Sequence, residues 1–245
     1  MSNTYFQFKE FIVNQDKCAM KVCTDACIFG AYFSSEEKDK SNNETNILDI
    51  GTGTGLLSLM TAQKVKGNIE AVEIDKNAFE QAEQNFRNSP WKSRLSVLHA
   101  DVTKLTLNKR YDIIISNPPF FEGSLKSNNQ QNNLAKHNTS LTYTALASFV
   151  YSNLTDNGRF YILLPYKEFE VFKKIATEKK LTLVEKIDVR SSATSEYFRT
   201  IGVFTSRAVQ QTNAESLIIK DNHNEYTNDF IELLKDYYLY LQNEQ

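Results

Sequence analysis

From Asn46 to Leu164 short apolar runs rich in Ile, Val and Leu alternate with stretches of helical period, and that alternation leaves few folds open. The runs are Ile47–Ile50, Ile69–Glu73, Leu95–Ala100, Tyr111–Ser116 and Arg159–Leu164. Runs this short suit strands better than helices, and strands apolar on both faces must be covered on both. The pattern therefore predicts a parallel sheet flanked by helices, an α/β fold. The intervening helices are expected to begin near Gly53, Lys76 and Thr139, the last behind an Asn138–Thr139 pair suited to capping.

Past Pro165 the pattern changes. A helix over Glu168–Glu178 leads into two strand-like stretches, Leu181–Val189 and Arg199–Ser206, joined by a polar turn at Ser191–Ser195. This reads as an antiparallel hairpin closing the sheet edge. A Rossmann-like sheet of seven strands with the last one antiparallel is the ending found in methyltransferases, and a dehydrogenase sheet does not need it. The polar stretch Ser34–Thr45 reads as a surface linker. It divides the chain into an N-terminal cap segment (1–33), the linker (34–45) and the main domain (46–245). Tyr226–Leu241 carries Phe230, Leu233, Leu234, Tyr237 and Leu241 at helical spacing and is expected to be one helix packed on the core. With 245 residues, 41% of them hydrophobic, one large core is expected and a second full domain would be crowded. No run approaches the roughly 20 apolar residues needed to span a bilayer, and no apolar signal core follows the N-terminus, so a soluble cytoplasmic protein without membrane contact is expected.

Asp49-Ile50-Gly51-Thr52-Gly53-Thr54-Gly55 follows the first of these strands. Glycines at such a turn remove the Cβ atoms that would block a ligand, and an acid at the strand end can hold an ammonium such as that of a methionine moiety. The dinucleotide spacing G-x-G-x-x-G is not met, because position 56 is Leu, which disfavours a pyrophosphate cradle. Glu73 ends the second strand, where its carboxylate can accept from both hydroxyls of a ribose. Asp101 follows the third and can accept from an adenine amine, with Val102 offering its backbone N–H. Solvated acids at strand termini would account for any one of the three, but poorly for the set.

Ser116-Asn117-Pro118-Pro119-Phe120-Phe121 follows the fourth strand. The lone pair of an exocyclic amine on a base is delocalised into the ring, so the nitrogen is a poor nucleophile. The Asn117 side-chain carbonyl and the Pro118 backbone carbonyl can each accept one amine hydrogen and turn the lone pair toward an electrophilic methyl. Pro118 and Pro119 hold those acceptors in a stiff extended segment, and Phe120, with Phe121 beside it, can stack on the target ring. The polar stretch Gly123–Asn138 is a loop adjoining this motif.

The three cysteines, Cys18, Cys23 and Cys27, read C-x4-C-x3-C, which differs from the C-x3-C-x2-C of radical enzymes and has no nearby fourth ligand. No metal is expected. A net charge of −2 does not mark a nucleic-acid binder, and it does not exclude one, since phosphate contacts need local cations. Arg190 and Arg199 are candidate substrate contacts of that kind.

The chain resembles the tRNA adenine-N6-methyltransferases that modify adenosine 37, beside the anticodon, of a valine tRNA. The resemblance runs over nearly the whole length. It includes Phe6-Gln7-Phe8-Lys9, Cys18-Ala19-Met20-Lys21-Val22, Thr24-Asp25, the turn from Leu48 to Leu57, Ala71-Val72-Glu73, Asn88-Ser89-Pro90-Trp91, Ile114 to Pro119 and Tyr237-Tyr238-Leu239. The glycine turn and Asn-Pro-Pro are shared by many amine methyltransferases, whereas Cys18–Lys21 and Ser89–Trp91 discriminate further. The resemblance implies S-adenosylmethionine as cofactor, the anticodon stem-loop of a valine tRNA as partner, and Lys21, Thr24 and Asp25 beside the cofactor pocket; the sequence does not fix the oligomeric state, and a monomer is the expectation. Cys23 and Ala26 stand where glycines are expected in relatives. Three rivals remain at this stage: methylation of a release-factor glutamine or a ribosomal guanine, a non-catalytic RNA-binding module, and, more distantly, a nicotinamide-dependent oxidoreductase. The glutamine enzymes normally end the motif in Tyr and carry an N-terminal helical domain.

Overall fold

The fold is described from a computed structural model, in which residues 3–18, 20–119 and 141–241 are defined. A small antiparallel hairpin, β1 (Tyr5–Gln7) with β2 (Ile12–Asn14), precedes helix α1 (Thr24–Glu37). Five strands follow as the apolar runs require: β3 (Asn46–Ile50), β4 (Asn68–Glu73), β5 (Leu95–His99), β6 (Tyr111–Ser116) and β7 (Leu154–Pro165). Between them lie α2 (Leu56–Lys64), α3 (Lys76–Arg87) and α4 (Tyr143–Asn153). Helix α5 (Tyr166–Glu178) leads to the hairpin β8 (Thr182–Ser192) and β9 (Tyr197–Thr205), and β10 (Asn213–Lys220) and α6 (Asn228–Leu234) end the fold.

Among the described residues the main sheet has eight strands in the order β10-β8-β9-β7-β6-β3-β4-β5. Strand β9 runs against both β7 and β8, and the remaining pairs are parallel. One core fills the face covered by α1, α2, α3 and α6. A second, built on Phe160, Phe169, Phe172 and Phe204, fills the face covered by α4 and α5.

Four boundaries differ from the sequence reading. The sheet has an eighth strand, β10, beside β8, so the antiparallel strand lies inside the sheet and not at its edge. Only Leu217 of β10 is buried, which is why its pattern is faint. Strand β7 starts at Leu154, ahead of the polar Thr155–Gly158, because Leu154 pairs with Tyr111 and is itself buried. The loop expected from Ser34 starts after Glu37. Ser34 and Glu37 are buried within α1, where Glu37 accepts hydrogen bonds from Tyr161 and Arg159.

The helix expected over Tyr226–Leu241 spans only Asn228–Leu234. Phe230, Leu234 and Tyr237 are buried as their spacing requires, but the Tyr237 carbonyl accepts from the Lys9 N–H and its hydroxyl donates to Met60 O, so the chain leaves the helix. Helix α4 is capped by Thr142, whose hydroxyl accepts from Ala145 N–H at 3.1 Å; the Asn138–Thr139 pair lies outside the described residues.

Candidate active site

Strands β3, β4, β5, β6 and β7 are parallel, so their carboxyl ends share one edge. The register sets Ile50 beside Val72 and Ser116, Glu73 beside His99, and Ser116 beside Ile162. The strand order reverses between β3 and β6, and a crevice outside that point is where open α/β sheets bind ligands. Asp49, the glycine turn and Asn117 all border it.

Gly51, Gly53 and Gly55 adopt φ of 72°, 58° and 83°, values that favour glycine. A Cβ at Gly51 or Gly53 would meet nothing within 4 Å, so both face open space, whereas one at Gly55 would lie 2.6 Å from the Phe86 ring. Gly55 thus allows α2 to pack on α3. Gly51 and Gly53 leave room at the turn.

Asp49 is fully buried. Its Oδ2 accepts from Thr52 Oγ1 at 2.6 Å and Ser58 Oγ at 2.7 Å, and its Oδ1 is buried with no partner. Burial raises its pKa to about 6, against the opposing hydrogen bonds of Thr52 and Ser58. A buried carboxylate oxygen left without a donor fits an incoming ammonium.

Glu73 is engaged by the backbone. Its Oε2 accepts from Gly53 N–H at 2.8 Å, and its Oε1 from Ile74 and Asp75 N–H, each at 2.9 Å. Three of about four acceptor positions are occupied, which leaves one for a ribose hydroxyl where the sequence pointed to two. Asp101 caps the short 3₁₀ turn Val102–Lys104, accepting from Thr103 N–H and Oγ1, and its Oδ2 lies 3.2 Å from Lys104 Nζ. These bonds, the Thr103 hydroxyl first, hold its carboxyl below the usual range. Val102 is buried.

Ser116 Oγ donates to Ile50 O at 2.9 Å and ties the end of β6 to the start of the glycine turn. Beyond it, Pro118 is buried and Pro119 exposed. The Asn117 Oδ1 is buried and has no hydrogen-bond partner among the described residues. Phe120, Phe121 and the stretch 123–138 lie outside the described residues.

Of the N-terminal residues expected beside the cofactor, two have partners within the protein. Lys21 donates to the Gln15 carbonyl, and Thr24 is exposed at the start of α1. Asp25 and Arg199, expected on cofactor and substrate respectively, are paired with each other at 2.6 Å. Arg190, at the end of β8, donates to Ala193 O at 2.7 Å. Burial raises the Cys18 and Cys27 thiols to about 11 and 12, and desolvation together with the neighbouring Asp25 carboxylate raises that of the exposed Cys23 to about 12, which disfavours thiolate chemistry. Among the described residues no group of three or more His, Cys, Asp or Glu is placed to hold a metal, and no helix is long and apolar enough to cross a membrane.

Sequence reasoning missed Asn85. Its buried side chain accepts from Asn14 N–H at 3.0 Å and donates to both Asn14 O and Thr54 O at 2.8 Å, pinning the N-terminal segment and the glycine turn to α3. Its neighbour Gln81, one turn earlier, accepts from Lys17 N–H. The available signal was a pair of polar residues on the face that carries Ala78, Ala82 and Phe86. Asn85→Leu would strand one buried and two part-buried backbone groups, so a loss of about 2–3 kcal/mol is expected in denaturant unfolding. A loss under about 0.5 kcal/mol, the range of neutral surface changes, would show that these segments are held by other contacts.

Residues 35–163 match the family described as Methyltransferase small domain. The chain is 40% identical to a tRNA1(Val) (adenine(37)-N6)-methyltransferase of Dyadobacter fermentans, covering 97% of this chain and 98% of that protein. It is 39% identical to the protein of that name in Flavobacterium psychrophilum, over 96% and 99%, and 36% identical to that in Proteus mirabilis, over 96% and 94%. The chain belongs to this methyltransferase family. Solved structures agree on the fold. A predicted O-methyltransferase of Agrobacterium tumefaciens superposes with a TM-score of 0.66 at 15% identity, covering 89% of this chain and 99% of that one. A TehB-like SAM-dependent methyltransferase of Corynebacterium glutamicum gives 0.52 at 16% identity, over 74% and 89%. The β3–β7 core with its glycine turn is therefore a methyltransferase core, and the family likeness extends over the N-terminal segment and the β8–β10 edge as well.

Proposed function

We propose that the protein transfers a methyl group from S-adenosylmethionine to N6 of an adenine in tRNA, adenosine 37 beside the anticodon of a valine tRNA. Relatives of nearly equal length carry that activity in their names. The observation that supports it best is the buried, unpartnered Asn117 Oδ1 at the end of β6, across the strand-order reversal from the open glycine turn. An unpaired buried acceptor is costly unless something comes to donate to it. An exocyclic amine has two hydrogens to give, one to Asn117 Oδ1 and one to the Pro118 carbonyl.

The cofactor supplies an electrophilic methyl on a sulfonium. Asp49 Oδ1 would receive its ammonium, Gly51 and Gly53 would leave room for it, and Glu73 would accept from a ribose hydroxyl. Asp101 and the Val102 N–H would hold its adenine, and the segment bearing Lys21, Thr24 and Asp25 would lie beside it. Asn117 and Pro118 fix the target nitrogen with its lone pair directed outward, and Phe120 stacks on the ring. No strong base is required, because the amine sheds its proton only after the new bond has made it positive. Catalysis is positioning and electrostatics. The target base must leave the loop stack to enter. A release-factor glutamine or a ribosomal guanine presents a similar delocalised nitrogen, but the relatives' names favour adenine.

The test is incubation of the purified protein with methyl-labelled cofactor and unmodified valine tRNA. Label in adenosine 37, absent from a transcript with guanosine there, is the expected result. Label in another nucleotide, or none, would overturn the proposal.

A further inference from the structure

Beyond Asn117 the same edge carries rings and cations that methyl transfer does not use. Pro165 pairs with Arg199, and Arg190 with Tyr197, so the end of β7, the start of β9 and the end of β8 continue the edge on which Asn117 lies. Strands lie about 4.8 Å apart, which puts β9 about 10 Å from β6 across the sheet, within reach of nucleotides next to a base held at Asn117.

Four side chains there form one layered cluster. Tyr166 stacks on Tyr197 with centroids 5.3 Å apart and planes at 29°. The Arg190 guanidinium lies 5.3 Å from the Tyr197 centroid, and the Lys186 ammonium 5.3 Å from that of Tyr166. Phe198, the next residue of β9 after Tyr197, is 36% exposed, with the Arg199 guanidinium 5.6 Å from its centroid. In the adjoining turn the Ser195 hydroxyl accepts from the Ser191 hydroxyl and from the Ser192 backbone N–H, both at 2.9 Å.

The charges narrow the occupant. Lys186 is held by Asp188 at 2.9 Å and by Glu170 at 3.8 Å, and Arg199 by Asp25 at 2.6 Å, so neither brings a full positive charge to a ligand. Arg190 donates to a carbonyl, and its Nε is buried and unpartnered. A duplex backbone is bound by several uncompensated cations, and an acidic peptide likewise. An unpaired base needs a flat apolar face and a guanidinium plane, because every base has a π-face. The surface offers the second set.

We propose that Phe198 and Arg190, buttressed by the Tyr166–Tyr197 stack, form a platform on which an unpaired nucleotide flanking the target adenosine stacks. This rests on the reading of the protein as an RNA adenine methyltransferase, and it names the surface by which a splayed loop would be held while one base is withdrawn into the crevice.

The test uses the full chain and an anticodon stem-loop carrying 2-aminopurine, in separate RNAs, at the nucleotide on each side of the target. Binding is followed by fluorescence and methylation by nucleoside analysis. Phe198→Ala and Arg190→Ala are expected to raise the Kd about tenfold and to remove the fluorescence change at one flanking position. Cofactor affinity and kcat at saturating RNA should stay unchanged. Phe198→Tyr should bind as the unaltered protein does, and Phe198→Ala should leave the slope of log Kd against log salt unchanged, since no phosphate contact is lost. Wild-type affinity and fluorescence in both alanine variants would overturn the platform. Binding that depends on Phe198 but yields no methylated adenine would keep the platform and overturn the reaction assigned to Asn117.

Discussion

Asn117→Ala is expected to lower kcat about 10²- to 10³-fold while leaving the cofactor Kd unchanged, because it removes one hydrogen bond that acts on the reacting nitrogen. Its effect on folding should go the other way. The Asn117 Oδ1 is buried with no partner in the free protein, so deleting it relieves an unsatisfied acceptor. Unfolding in denaturant should show stability unchanged or raised by about 1–2 kcal/mol. An inactive variant that is at least as stable as the parent would identify Asn117 as a group kept for chemistry at a cost to the fold. A variant that loses stability and activity together would instead make it a structural residue.

Asp49→Asn should weaken cofactor binding about 100-fold, on the scale of a buried charge-assisted hydrogen bond. The pH dependence separates this from a packing defect. Burial lifts the Asp49 carboxyl to about 6 from an ordinary 3.8, so below pH 6 the free protein carries it protonated. An ammonium bound against Oδ1 favours the ionised form, and binding then expels a proton. Cofactor affinity should therefore weaken as pH falls below about 6, by up to tenfold per unit, and level off above pH 7. The folding linkage has the opposite sense. A raised carboxyl pKa means that the folded state holds the proton more tightly, so this group's contribution to stability falls as pH rises from about 4 to about 6 and is constant above. Asp49→Asn should abolish both dependences. Calorimetric titration at pH 5, 6 and 7 checks the first, and thermal unfolding over the same range the second. A cofactor affinity as steep with pH in Asp49→Asn as in the parent would remove Asp49 from the site.

How much of this could be seen beforehand depended on whether a feature was local. Strands β3, β4 and β6 were legible because well-buried strands leave continuous apolar segments, the edge strand β5 only because its short Leu-Ser-Val-Leu run recurs at the same spacing, and the glycine turn and Asn-Pro-Pro because each is one contiguous segment at a strand end. Strand β10 was not, since only Leu217 of it is buried and its one sheet neighbour, β8, is an edge created by the fold. The C-terminal segment has helical spacing throughout, yet contacts of Tyr237 with Lys9 and Met60, distant in sequence, end the helix early. Glu73 was placed correctly at a strand end, but its use by three backbone amides could not be inferred from its position. Asp25 and Arg199 were each singled out as candidate contacts, while their pairing across 174 positions was not foreseeable from either segment alone.

The central claim is that Asn117 and Pro118 hold an adenine amine against the cofactor. A structure of the protein with a non-reactive cofactor analogue and the anticodon stem-loop tests it most directly. The expected result is adenine N6 about 2.9 Å from Asn117 Oδ1 and from the Pro118 carbonyl, within ordinary hydrogen-bond distance. An adenine whose N6 lies beyond about 3.5 Å from both oxygens, or an Asn117 side chain that stays turned into the protein, would contradict the account.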